Sequence, residues 1–190
     1  KEIWPNEPNK TAQKDTDARW TLKIGGKIRY RPDGTPLPQI ALPVFAYKSH
    51  IAIDRRYGFI RSATVTSASD PDGRQLKHLV TKDNTGSDVW ADTAYRSNTN
   101  EKRSAKNGRT SRTHRRKPKG KSMPEHMARA NARKSTVRAC VEHVFAHQKN
   151  RFSLFIRTIG IARAEAKLTL ANLAYNFDRL IFHERKAAIG

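Results

Sequence analysis

One cysteine, two methionines and no long apolar run stand in a chain of 190 residues. The single thiol, Cys140, excludes a disulfide framework and any cysteine-rich zinc module. No apolar stretch reaches the roughly 18 residues that a membrane span needs, so no membrane partner is expected. The opening residues lack the charged, apolar and small-residue order of a secretory signal, which leads to the expectation of a soluble, cytoplasmic protein. Acids are scarce as well: 17 Asp and Glu face 38 Lys and Arg, a formal net charge of +21. With hydrophobic residues at only 36%, the core is expected to be modest.

The positive charge is clustered. Lys102, Arg103, Lys106, Arg109, Arg112, Arg115, Arg116, Lys117, Lys119 and Lys121 fall within twenty residues that contain no acid after Glu101. Gly108, Pro118 and Gly120 interrupt that run, and almost nothing in it is apolar. It reads as a basic, exposed and mobile loop over about 98–123 whose cations meet phosphate. Nucleic acid is the expected partner, because bound Lys and Arg release condensed counterions. Charge alone does not distinguish an enzyme from a binder.

Along the chain, residues 1–19 are polar, turn-rich and irregular. Trp20 to Tyr30 alternates, with Gly25-Gly26 as a hairpin or bulge signal. Four prolines between Pro32 and Pro43 argue against a helix or central strand there. Val44–Ile53 and Phe59–Thr66 read as an antiparallel hairpin turning at Asp54–Gly58, closed by Asp70-Pro71-Asp72-Gly73. A short helix is expected over Arg74–Val80, and a short buried strand over Asp88–Tyr95. Ser135 is expected to cap a helix with an apolar arc of Val137, Cys140, Val141, Val144 and Phe145. A second helix is expected over Ala162–Lys186, set off by Gly160. Strands followed by helices make a mixed α/β domain.

Two acids stand out. At about 100° per residue, Arg138 and Lys149 fall within about 40° and 20° of Glu142, forming one polar stripe beside the apolar arc. On spacing alone, an ordinary surface helix with an i,i+4 Arg–Glu pair is the better explanation. Asp92 follows Val89-Trp90-Ala91 at a strand end, where open α/β sheets place ligand chemistry; a strand-end cap explains it too. Together the two carboxylates can hold hard divalent cations, and on a strongly basic chain that points to phosphodiester chemistry.

At this point the residues resemble a family. Asp17-Ala-Arg-Trp20, Tyr47–Asp54 with Val65–Ala68, Ala91-Asp-Thr-Ala-Tyr95, and the Arg138, Glu142, Lys149 spacing occur in one order. Ile156–Gly160 with Leu173–Asn176 completes it. The chain resembles the DDE-type transposases of bacterial insertion sequences, in particular insertion-sequence family five, over about Asp17 to Arg179. The resemblance implies an α/β fold with a ribonuclease-H-like core followed by C-terminal helices. It implies strand cleavage and strand transfer at element ends with two Mg²⁺ or Mn²⁺ ions. It casts Asp92 and Glu142 as catalytic metal ligands, Tyr95 as part of the second acid's signature, and Arg138 and Lys149 as DNA-positioning residues. Double-stranded DNA is the implied partner, with a homodimer or higher assembly in a synaptic complex, in the bacterial nucleoid.

The resemblance also carries departures. The family's first catalytic Asp lies on a strand upstream of the segment matching Asp17–Trp20, so the core is expected to be incomplete, with that strand missing. Residues 20–190 are then a partial catalytic domain, truncated and weak or inactive alone. Asp54 ends a strand and is the candidate replacement, but family order puts it at a hairpin turn. Ser135 stands where relatives often carry Tyr, and the Pro32–Pro43 stretch resembles an insertion. The alternative is a non-catalytic basic nucleic-acid-binding protein. His143 and His147, Cys140, and Asp70 with Asp72 are read as packing, core and turn residues.

Overall fold

A 13-residue strand, β2 (Ala41–Ile53), is the spine of the molecule. The computed structural model describes residues 4–24, 28–82, 86 and 88–189, so the Gly25-Gly26 signal lies outside the described residues. β2 pairs antiparallel with β1 (Arg19–Ile24) through residues 41–46 and with β3 (Ile60–Ser67) through residues 47–53, in the order β1-β2-β3. The expected hairpin is therefore present as β2–β3. In its turn the Asp54 carboxylate accepts from the N–H groups of Tyr57 and Phe59 at 2.6 and 2.9 Å. Gly58 there takes φ +77°, which a side chain disfavours. Both Asp54 oxygens thus serve the turn.

The proline-rich stretch corrects one expectation, because β2 starts at Ala41 and includes Pro43 opposite Leu22. At that point β2 has, among the described residues, a strand partner on one edge only, where a missing N–H is tolerated. The N-terminal segment, expected to be irregular, contains a five-residue helix, α1 (Pro8–Ala12). After β3, a 3₁₀ turn over Asp72–Gln75 leads into α2 (Leu76–Leu79), whose two leucines are buried. This is the short helix expected from the pattern.

The strand expected over Asp88–Tyr95 is much shorter. β4 (Asp88–Val89) has two residues, paired in parallel with β5 (Thr110–Ser111). Its hydrogen-bonded neighbour among the described residues is β5. The turn that follows is 3₁₀, over Thr93–Tyr95, with Asp92 as its N-cap accepting from the Thr93 N–H. The segment 98–123, expected to be an exposed loop, holds α3 (Asn98–Lys106) and β5. Arg109, Thr113 and His114 within it are buried. Polar composition does not reveal this, because the buried groups are satisfied. Arg109 donates to the Thr81 carbonyl at 2.6 Å, and the Ser111 and Thr113 hydroxyls donate to Glu101 at 2.7 and 3.0 Å.

Two long helices complete the chain, α4 (Glu125–Arg151) and α5 (Ile161–Ile189). α4 begins well before Ser135, which is therefore an internal residue and not the cap. Its first ten residues carry few apolar side chains, so hydrophobic periodicity is silent there, while Ala, Arg and Lys supply helix propensity. Gly160, at φ +89°, makes the break before α5. Ile51, Ile60, Val144 and Tyr175 form the core cluster, with Ile53, Val141 and Phe152 packed against it.

Several residues of the shared motifs act as clamps. Asn176 accepts from the Ile60 N–H at 2.8 Å and donates to the Ile60 carbonyl at 3.0 Å, which joins α5 to β3. Asp15 accepts from the Tyr47 hydroxyl at 2.6 Å and from the Gly160 N–H at 3.1 Å. Asp17 accepts from the Ile161 N–H at 2.9 Å, at the start of α5. The N-terminal segment is thereby stapled to β2 and to α5.

Candidate catalytic site

β2 and β4 belong to separate sheets, and a cleft of about 650 Å³ lies between them. Its walls are residues 49–56 of β2 and its turn, residues 88–92 around β4, and Val137, Arg138, Cys140, Val141 and Phe145 of α4. The expected apolar arc of α4 is therefore divided. Val144 is fully buried, whereas Phe145 is 38% exposed and Cys140 is exposed, because both border the cleft. Arg55 lies over the Trp90 ring at 5.0 Å and links the two walls.

The two acids singled out in the sequence both lie against Arg138, which lines this cleft together with Asp92. One guanidinium nitrogen of Arg138, Nη2, lies 3.7 Å from Asp92 Oδ2 and 3.7 Å from Glu142 Oε1. The nearest oxygens of the two carboxylates therefore cannot be farther apart than twice that contact. The local structure explains why they meet. Asp92 is fixed by its role as N-cap of the turn after β4, and Arg138 and Glu142 are one helical turn apart on α4. Both acids remain open to solvent, with side chains 47% and 70% exposed, while Arg138 is only 24% exposed. Lys149 is on the same helix, exposed, two turns beyond Glu142 and about 10 Å along its axis.

Tyr95 faces inward. Its hydroxyl meets His50 Nδ1 at 3.1 Å, and His50 Nε2 meets the Thr66 hydroxyl at 3.0 Å. Burial, with help from Asp72 and Asp92, pushes the Tyr95 phenol up to about 12, and burial lowers the His50 imidazole. Tyr95 thus anchors the turn after Asp92 to the sheet as a neutral group.

The structure also brings in a residue that the sequence reading passed over. His114 lies beside Asp92, with Nδ1 3.8 Å from Asp92 Oδ1 and its side chain 10% exposed. Burial, and then the charge of Arg138, holds its pKa below the usual histidine value. Nothing in the spacing of residues 92 and 114 signals this; it depends on the parallel pairing of β4 with β5.

Of the ten cations between Lys102 and Lys121, nine are exposed and Arg109 is buried. Lys134, on the adjoining part of α4, donates to the Thr113 carbonyl at 2.8 Å. Burial lowers its pKa, and the charges of Arg96, Arg115 and Arg112 lower it further. Positive charge is therefore gathered around Lys134 and His114, on the Asp92 side of the two acids.

Among the described residues, no three His, Cys, Asp or Glu side chains form a complete metal cluster. Two converging carboxylates are nonetheless hard oxygen donors, and Mg²⁺ is commonly held by one or two carboxylates with the remainder from water and phosphate. The guanidinium between them shows that the pair already attracts a cation. A family model described as the transposase DDE domain matches residues 43–177, from β2 into α5. Searches of curated proteins and of solved structures returned no match.

Proposed function

Since this chain belongs to the transposase DDE domain family, we propose that Asp92 and Glu142 are two of the three carboxylates of a DNA strand-cleavage and strand-transfer centre acting at insertion-sequence ends. Proteins of this family act on DNA and generally use divalent metal ions. The observation that carries the reading is the convergence of both acids on Arg138 Nη2.

Asp92 and Glu142 would hold Mg²⁺ or Mn²⁺; the chemistry then available is activation of the attacking oxygen and stabilisation of the leaving one. Arg138 offsets one of the pair's two charges and meets the phosphate. Lys149 and the exposed cations of 102–121 hold the DNA backbone, and Tyr95 keeps the Asp92 turn on the sheet. The assembly at work is a homodimer or larger, with two DNA ends.

The cleft between β2 and β4 supports a ribonuclease-H-like core in which one strand is lacking among the described residues. An extended segment placed there would border β2 on one side and β4 on the other, and an aspartate at its end would approach Asp92. The 190 residues alone are therefore expected to be weak or inactive. The test compares Mg²⁺-dependent nicking of DNA carrying the element's ends by this chain and by a longer one bearing such a strand ahead of Lys1. Cleavage only by the longer chain, lost in Asp92→Ala and in Glu142→Ala, is the expected result. Efficient cleavage by the 190 residues alone overturns the missing-acid reading. Salt-sensitive DNA binding with no cleavage by either chain favours a non-catalytic binder.

A further inference from the structure

We propose that His114 is a positioning residue for the Asp92 carboxylate, a role resting on the reading of Asp92 and Glu142 as a cation-binding pair.

Main-chain pairing brings it there. The Arg112 N–H donates to the Val89 carbonyl at 2.8 Å and the His114 N–H to the Ala91 carbonyl at 3.1 Å. Residues 110–114 therefore run beside residues 88–92 in register, and the histidine is delivered next to Asp92 by the backbone. The imidazole sits between two elements. Nε2 lies 3.5 Å from the Ser135 hydroxyl of α4, and Nδ1 lies 3.8 Å from Asp92 Oδ1. The tautomer that takes the Ser135 hydroxyl as donor at Nε2 carries its ring proton on Nδ1, on the Asp92 side.

The two oxygens of Asp92 are thus addressed from opposite sides. Oδ1 accepts from the Thr93 N–H and faces His114, whereas Oδ2 faces Arg138. This sets the plane of the carboxylate so that Oδ2 turns toward Arg138, the residue that Glu142 also contacts. Ser135, His114, Asp92, Arg138 and Glu142 then form a chain of contacts that starts and ends on α4. Without the imidazole, the Asp92 carboxylate keeps its Thr93 and Arg138 contacts but loses the one that holds Oδ1 from the β5 side, and the pair loosens. Groups that hold ligating carboxylates in place commonly change metal affinity by about 10- to 100-fold.

The experiment uses the whole 190-residue protein. Long-range ¹H–¹⁵N spectra at pH 8 read the imidazole tautomer, and calorimetric titration with Mn²⁺ reads the affinity of the pair. The Nδ1–H form is expected in the wild type. His114→Leu, which fills the space without a donor, is expected to bind Mn²⁺ at least about 10-fold more weakly. His114→Asn, which keeps an N–H near the Nδ1 position, should recover most of that loss. A role in packing alone predicts the reverse order, with Leu tolerated and Asn not. An Nε2–H tautomer, or equal Mn²⁺ affinity in wild type and His114→Leu, overturns the proposal. If His114→Leu does not fold, the wild-type tautomer and the Asn variant still decide. Absence of Mn²⁺ binding in a wild type that shows the Nδ1–H tautomer defeats the cation-site reading instead, while supporting the His114–Asp92 contact.

Discussion

The side of β2 that faces β3 and α5 is closed, and the side that faces β4 is open. On the closed side Val144 has no solvent exposure, and Asn176 satisfies both backbone groups of Ile60. On the open side a cleft of about 650 Å³ separates two sheets, and Cys140 and Phe145 border it unpacked. One helix serves both. Val144 and Phe145 are neighbours on α4, yet one is in the core and the other at the cleft. Stability and chemistry are thereby assigned to different flanks of the same strand. The carboxylates stand where packing is incomplete and a ligand or another strand has room to approach.

The sharpest way to break this contrast is to place a charge on each flank of α4. Val144→Asp buries an unpaired carboxylate and should cost on the order of 4 kcal/mol or more in urea unfolding. Cys140→Asp, at the cleft, should stay within about 0.5 kcal/mol of the wild type. Equal losses would mean that the cleft is packed after all. Next in size is Asn176→Leu, which leaves the Ile60 N–H and carbonyl without their partner. A loss of about 2 kcal/mol is expected in the same measurement. No loss would show that α5 is held to β3 by apolar contacts alone.

The closed flank was also the more legible one. The alternation of Val44–Ile53, the Asp54–Gly58 turn and the long amphipathic pattern after Gly160 each give an element that is present. These are local signals of period 2 and 3.6, which a sequence displays directly. The open flank depends on pairing between distant segments. β4 and β5 have two residues each and join in parallel across a helix, so no local pattern announces them. For the same reason His114 was invisible and the basic segment resembled a loop. Asp92 and Glu142 could be named from spacing and family resemblance; their meeting at Arg138 required the fold.

A smaller effect tests the staple that joins the N-terminal segment to the closed flank. Burial raises the Asp15 pKa, but the hydrogen bonds from Tyr47 and from the N–H groups of Ala18, Gly160 and Asp17 outweigh it, so the carboxyl is held below its ordinary value. Burial, followed by the Asp15 carboxylate, raises the Tyr47 phenol. A lowered carboxyl contributes stability above about pH 4 that is lost as pH falls through its folded value. A raised phenol contributes stability below about pH 10 that is lost as pH rises through its folded value. Tyr47→Phe should therefore cost about 1.5 kcal/mol between those limits and flatten the pH dependence at both ends. Thermal unfolding from pH 3 to pH 11 measures it, and an unchanged profile would remove Tyr47 from the staple.

The last comparison separates two arginines of the basic segment. Arg109 is buried and spends its guanidinium on the carbonyls of Val80 and Thr81, whereas Arg116 is exposed. Their charges are equal but their duties differ. Arg116→Gln should reduce the slope of log binding constant against log salt by about 0.9 on duplex DNA, leaving the unfolding midpoint in place. Arg109→Gln should lower the midpoint and leave the slope alone, because a guanidinium committed to backbone carbonyls releases no counterion from phosphate. If both changed the slope equally, the DNA would have to reach beneath the surface that β5 and α3 now cover, and the segment would behave as the free basic loop its composition suggests.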